Sequence, residues 1–137
     1  MTAICKPVKE RNSKHGVTED STRITDWLRE KQSQGIEYYP VKIVSTNTED
    51  VFDNYETVNV TTVLDVIDLE HSKYNRYSGG ELMMVLPCFN RKKLEQFRPV
   101  IFKTKQNEIP LYVSEEFKQF WENEKLIGLD FHEIRQC

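Results

Sequence analysis

The alternation of apolar and polar positions divides the chain into a patternless start and a series of short elements. Residues 1–20 mix Lys, Glu, Asn, Ser and Gly with no hydrophobic period. That predicts a mobile polar arm ahead of a single domain over 21–137. Ile24, Trp27 and Leu28 then recur at i, i+3 and i+4, the spacing of a helix of about three turns with Ser21 or Thr25 as its cap and Gly35 as its stop. Tyr39, Val41 and Ile43 alternate with Pro40, Lys42 and Val44. This is a strand, and Pro40 puts it at a sheet edge or a strand start. The polar acidic loop Ser45–Asp50 follows, and Tyr55–Val60 is strand-like again.

Beyond Val60 two periods compete. Val60, Val63, Leu64 and Ile67 keep helical spacing, but the stretch is β-branched and short, so a short helix and a further strand both stand. Residues 71–80, with Tyr74, Tyr77 and Gly79-Gly80, read as a loop, and Leu82–Leu86 as a strand ended by Pro87. Asn90 is placed to cap a brief helix carrying Leu94 and Phe97 on one side. Val100–Lys103 and Ile109–Val113 read as strands about a turn at Gln106-Asn107-Glu108.

The last element is the best defined. Ser114 can accept hydrogen bonds from the free N–H groups of the next turn, and Glu115 and Glu116 sit at the positive end of the helix dipole. Phe117, Phe120 and Trp121 form an i, i+3, i+4 core stripe. Gly128 supplies a left-handed stop, and Leu129 and Phe131 then alternate with Asp130 and His132 as a closing strand. The pattern as a whole predicts an α+β fold: a mixed or antiparallel sheet with a few helices, ending strand-helix-strand.

Composition narrows the function classes. With 38% hydrophobic residues and 11% aromatic in 137 residues, the chain can bury a core of its own. Its 19 basic and 22 acidic side chains leave a net charge of −3, without the polybasic field that nucleic-acid binding uses. No apolar run approaches the ~20 residues of a membrane span, and the first residues lack the apolar segment of a secretory signal. Cys5, Cys88 and Cys137 are an odd, scattered set without a CxxC pair. They predict no disulfide framework and hence a reducing, cytoplasmic setting.

Catalytic candidates are few. His15, His71 and His132 are far apart, and Glu70-His71 and His132-Glu133 are adjacent pairs pointing to different sides of an element; neither is a metal spacing. Gly79-Gly80 lacks the Lys and the Ser/Thr of a phosphate loop. Cys88 precedes a helix, yet no local His activates it. Asp65 and Asp68 are three apart, which is common on ordinary surfaces. The expectation is no catalytic residue, no metal and no cofactor.

Two blocks carry a resemblance. The first is Asn59-Val60, Val63, Asp65–Glu70 and Ser72–Tyr74; the second is Ile101-Phe102, Leu111–Phe117 and Leu126–Phe131. Over roughly residues 37–134 they resemble the bacterial immunity protein 11 family, also known as the DUF1629 immunity domain. Family members run longer at the N-terminus. The resemblance implies a non-enzymatic protein that binds and neutralises a cognate polymorphic toxin in the cytoplasm of the producing cell. Asp68, Ser72, Ser114, Gly128 and Phe131 match its recurrent positions, and physically they read as capping, turn and core residues. The surface expected to meet a basic toxin is the acidic run Glu49, Asp50, Asp53 and Glu56, with the Tyr74/Tyr77 loop as a second candidate. A small hydrolase or transferase with an unrecognised site, and a generic interaction module, are the alternatives.

Overall fold

The computed structural model describes residues 2–7 and 17–137, with side chains for 23–51 and 55–137. Its elements in chain order are β1 (Thr2–Pro7), α1 (Val17–Lys31), β2 (Ile36–Val44), β3 (Val51–Val60), β4 (Val63–Leu64), β5 (Lys73–Arg76), β6 (Leu82–Leu86), β7 (Cys88–Phe89), α2 (Arg91–Phe97), β8 (Ile101–Thr104), β9 (Asn107–Ser114), α3 (Glu115–Asn123) and β10 (Leu129–Gln136). They make two compact units, Met1–Lys9 with Thr62–Cys137, and Glu10–Thr61.

The larger unit is built on a six-stranded sheet of order β4-β8-β9-β1-β10-β7. Its middle pairings, β8 with β9, β9 with β1 and β1 with β10, are antiparallel, whereas β4 with β8 and β10 with β7 are parallel. Both edges are met by one short strap, Thr62–Asp68. At one edge Lys103 N–H donates to Thr62 O (2.8 Å) and Lys105 N–H to Leu64 O (3.0 Å). At the other, Asp68 N–H donates to Cys88 O and Asn90 N–H to Val66 O, each at 2.8 Å, around an Ile67–Phe89 bridge. The sheet thereby closes on itself, and closure satisfies backbone groups that open edges would expose.

Closure encloses the core. Val66, Ile67, Phe89, Phe102, Tyr112 and Ile134 are buried together, with Leu64, Met84 and Leu94 packed against them. Phe89 meets Tyr112 edge-on at 4.9 Å between ring centres, and Phe102 stacks on Tyr112 at 5.7 Å. Burial pushes the Tyr112 phenol up to about 12. Thr104 eases that rise, but its hydroxyl is committed to the Asn107 carbonyl, and among the described residues the Tyr112 hydroxyl has no hydrogen-bond partner.

The strand-helix-strand ending forms as its sequence predicts. Ser114 is extended (φ −74°, ψ 162°) and its Oγ accepts from Phe117 N–H. Phe117 and Trp121 stack at 6.0 Å, and both meet Phe131 of β10 edge-on at 6.4 Å. The stop differs. Lys125 (φ 53°) takes the left-handed position, with its N–H bonded to Glu122 O and Leu126 N–H to Trp121 O. That is a paired C-terminal cap sealed by the buried Leu126. Gly128 (φ 103°) instead turns the chain into β10.

The smaller unit pairs α1 with the antiparallel ribbon β2–β3. Leu28 and Thr25 are buried. Along β2 the partly buried Ile36, Tyr38 and Val41 sit opposite Val60, Val58 and Tyr55. Pro40 is tolerated because a two-stranded ribbon has only edges. Gly35 (φ 79°) makes the turn into β2.

Several expectations change. Residues 2–7, read as part of a polar arm, form β1, paired on both sides in the sheet; a six-residue strand is too short for its pattern to stand out. Of the rest of the expected arm, residues 17–20 open α1, and residues 1 and 8–16 lie outside the described residues. Helix α1 starts at Val17, so Ser21 and Thr25 lie inside it and are not caps. Of the two periods after Val60, the strand wins at Val63–Leu64. The expected 71–80 loop contains β5, which pairs with β6 as a hairpin. The cysteines differ as well: Cys88 and Cys137 are joined by a disulfide, with Cα atoms 6.0 Å apart. The cause is parallel pairing of Arg135 with Cys88 and Gln136 with Phe89, which spacing along the sequence does not reveal.

Trp121→Ala should cost about 3–5 kcal/mol in denaturant unfolding, because it empties the α3 contact with Phe131. Tyr112→Phe should fall within about 1 kcal/mol of wild type in the same assay, because it removes a buried hydroxyl that has no partner among the described residues.

Candidate functional site

The β2–β3 ribbon carries its chemistry in two zones. At its base, hydrogen bonds hold the charges. Glu37 accepts from the Tyr39 hydroxyl (2.7 Å) and from Asn59 Nδ2 (3.0 Å), across the Glu37–Asn59 strand pair. These two bonds hold the Glu37 carboxyl below its ordinary range, and the same carboxylate raises the Tyr39 phenol. On the helix side Arg29 donates to Glu56 at 2.6 Å and its guanidinium lies 4.1 Å from the centre of the Tyr38 ring. Arg29, with the Thr25 hydroxyl, holds Glu56 below the ordinary carboxylate range against the opposing effect of burial.

At the far end the ribbon changes character. Val41 pairs with Tyr55 and Ile43 with Phe52, so Lys42 alone faces Asp53-Asn54, a bulge in β3. Bulges increase twist and re-aim the strand beyond them. Past it, Ile43, Val44 and Val51 are exposed. The turn that joins them is closed by Ser45 N–H to Asp50 O (2.9 Å) and Glu49 N–H to Ser45 O (3.1 Å), with Glu49 in the left-handed region (φ 57°). Glu49 and Asp50 are exposed, and among the described residues no ion pair engages them. The ribbon end therefore presents three apolar side chains beside two open carboxylates.

The sequence candidates distribute accordingly. Glu49, Asp50, Asp53 and Glu56 all fall on this hairpin, but not as one patch. Glu49 and Asp50 form the turn, Asp53 lies in the bulge with its side chain outside the described residues, and Glu56 is engaged by Arg29. Tyr74 and Tyr77 belong to the other unit, on the β5–β6 hairpin. Tyr74 is half-buried, whereas Tyr77 is exposed and donates its hydroxyl to Met83 Sδ at 3.0 Å. Met83, Val85 and Leu86 on the same hairpin are also exposed. Ile43, Val44 and Val51 went unnominated, although their apolar character beside an acidic turn was visible in the sequence.

Two further features bear on chemistry. An open cavity of about 240 Å³ lies between α2 and the sheet, lined by Arg91, Leu94, Glu95, Arg98, Phe102 and Ser114 among others. Ser114 there is occupied as the α3 cap, and among the described residues no histidine lines the cavity. Elsewhere Asp68, His71 and Cys137 bring a carboxylate oxygen, a ring nitrogen and a sulfur within 4.8 Å of one another. Sequence reading passed over this set because Cys137 lies more than sixty residues from the other two.

The chain matches the immunity protein family (Imm11) over residues 6–136, and it belongs to that family. The match takes in the α1 region, ahead of the blocks that carry the resemblance in sequence. No curated protein matches the chain. Among the described residues no helix is long and apolar enough to cross a membrane.

The Glu56–Arg29 pair makes a pH prediction. A lowered carboxyl pKa stabilises the fold above the ordinary carboxylate range, and that contribution is lost as pH falls through the folded-state value. Arg29→Ala should raise the Glu56 pKa in an NMR titration of side-chain carboxyl carbons. The stability gap between wild type and Arg29→Ala should narrow as the pH is lowered below that range.

Proposed function

We propose that the protein is a non-enzymatic immunity protein that binds one cognate bacterial toxin in the cytoplasm and blocks it in a tight complex. Membership of the immunity protein family over residues 6–136 is the observation that carries this reading. The exposed end of the β2–β3 ribbon supports the mode of action. Ile43, Val44 and Val51 offer apolar anchors of the kind that supply affinity when covered. Glu49 and Asp50 supply a local negative field, which speeds encounter with a basic surface. Glu56 acts inside the ribbon by holding α1 through Arg29. The β5–β6 hairpin with Tyr77 and Met83 is the second contact surface.

Reversing Glu49, Asp50 and Asp53 to lysine should slow association with the cognate toxin by roughly tenfold or more at low salt, and less at high salt. The probe is a purified toxin whose killing this protein suppresses on co-expression, measured by stopped-flow or surface binding. Circular dichroism of the variant should match wild type. An unchanged on-rate together with unchanged protection of cells would remove the acidic turn from the interface.

A further inference from the structure

Three metal-binding side chains converge where the loop after the strap meets the end of β10, and a fourth, Cys88 of β7, is joined to one of them. The carboxylate of Asp68, the imidazole of His71 and the sulfur of Cys137 lie within 4.8 Å of one another, and Cys88 Sγ is bonded to Cys137 Sγ. Asp68 Oδ2 stands 3.0 Å from His71 Nδ1. Backbone pairing fixes the residues that carry these groups. Asp68 N–H donates to Cys88 O (2.8 Å), Cys88 N–H to Ser72 Oγ (2.8 Å) and Cys137 N–H to Phe89 O (2.8 Å). Arg135 Nη2 donates to His71 O (3.0 Å). Asp68 Oδ1 also accepts from the N–H groups of Glu70 and His71, which turns the carboxylate toward the ring. Cys88 is buried while His71 and Cys137 are exposed, so the cluster is anchored from inside and open to solvent.

This donor set has a chemical preference. Two thiolates with an imidazole and a carboxylate make a four-donor site of the soft-to-borderline kind that suits zinc, and thiolates disfavour calcium and magnesium. A surface ion pair accounts for Asp68 with His71, and a disulfide accounts for the two cysteines. Neither accounts for Cys137, one half of that disulfide, lying within reach of both the carboxylate and the ring.

We propose that, with Cys88 and Cys137 reduced, the protein binds one zinc-class divalent cation through Cys88, Cys137, His71 and Asp68. The disulfide and the cation are then alternative clasps between β7 and the end of β10. A cellular thiol reductant delivers two electrons and two protons to the S–S bond, which breaks to two thiols while the reductant is oxidised to its own disulfide. The cation displaces both thiol protons to solvent and forms two metal–sulfur bonds. A reducing cytoplasm favours the metal clasp; exchange with a low-molecular-weight disulfide, which takes the two electrons and leaves as two thiols, restores the protein disulfide and releases the cation. The inference stands on the cluster alone and is independent of the toxin reading.

Cobalt(II) is the probe, titrated without oxygen into the reduced full chain. One equivalent should give thiolate-to-cobalt charge-transfer absorption with tetrahedral ligand-field bands, displaced by zinc. Disulfide-bonded protein should give neither. Cys137→Ser should abolish the charge-transfer bands of the site. His71→Ala and Asp68→Asn should each weaken cobalt binding by roughly tenfold or more, with His71→Gln as a second variant should the alanine change disturb folding. Absence of charge-transfer bands at saturating cobalt would overturn the proposal. Binding of unchanged strength in both the His71 and Asp68 variants would also overturn it, because the thiols alone would then be holding the metal.

Discussion

Closure of the main sheet by the strap Thr62–Asp68 is the constraint on which the larger unit depends. A short segment pairs with β8 at one edge and β7 at the other, so its residues must be spaced to reach both. The reward is a buried Val66–Ile67 pair against Phe89, Phe102 and Tyr112. Backbone hydrogen bonds and apolar burial are therefore supplied by the same residues. Loosening the strap would expose a sheet edge and open the core at once.

Closure also explains which surfaces remain for contact. The β5–β6 hairpin leaves the strap immediately after Asp68 and does not join the main sheet; it exposes Tyr77, Met83 and Val85. In the smaller unit the base of the β2–β3 ribbon is tied to α1 by Arg29 and Glu56, while the end beyond the bulge is apolar and acidic. In the proposed reading the base of the ribbon would be the firm support and its exposed end the recognition element. The strap ends at Asp68, beside His71, Cys88 and Cys137, so the proposed clasp would reinforce the same closure.

What the sequence made legible follows from how local each signal is. The Ser114 cap, the Phe117/Phe120/Trp121 stripe and the Asn90 cap depend on neighbours within one or two turns; the caps form as expected, and of the stripe Phe117 and Trp121 are buried while Phe120 is half-buried. The strand β1 depends on partners at residues 111–114 and 131–134, so its pattern could not reveal it. The meeting of Cys88 with Cys137 comes from parallel pairing of β7 with β10 and was equally hidden. At the candidate surface the acidic turn was readable because Glu49 and Asp50 are consecutive with polar neighbours. The engagement of Glu56 by Arg29 was not, because the two are 27 residues apart. The family blocks were legible for the same reason as the caps: they are fold-making residues with local spacing.

The central claim, that the end of the β2–β3 ribbon meets the toxin, is tested most directly by hydrogen exchange on the complex with a toxin whose killing this protein suppresses. The account predicts that amides from Ile43 to Val51 slow markedly on binding, while those of β8 and β9 keep their free-state rates. A stable complex that leaves Ile43–Val51 exchanging as in the free protein would contradict it, as would the failure of any complex to form.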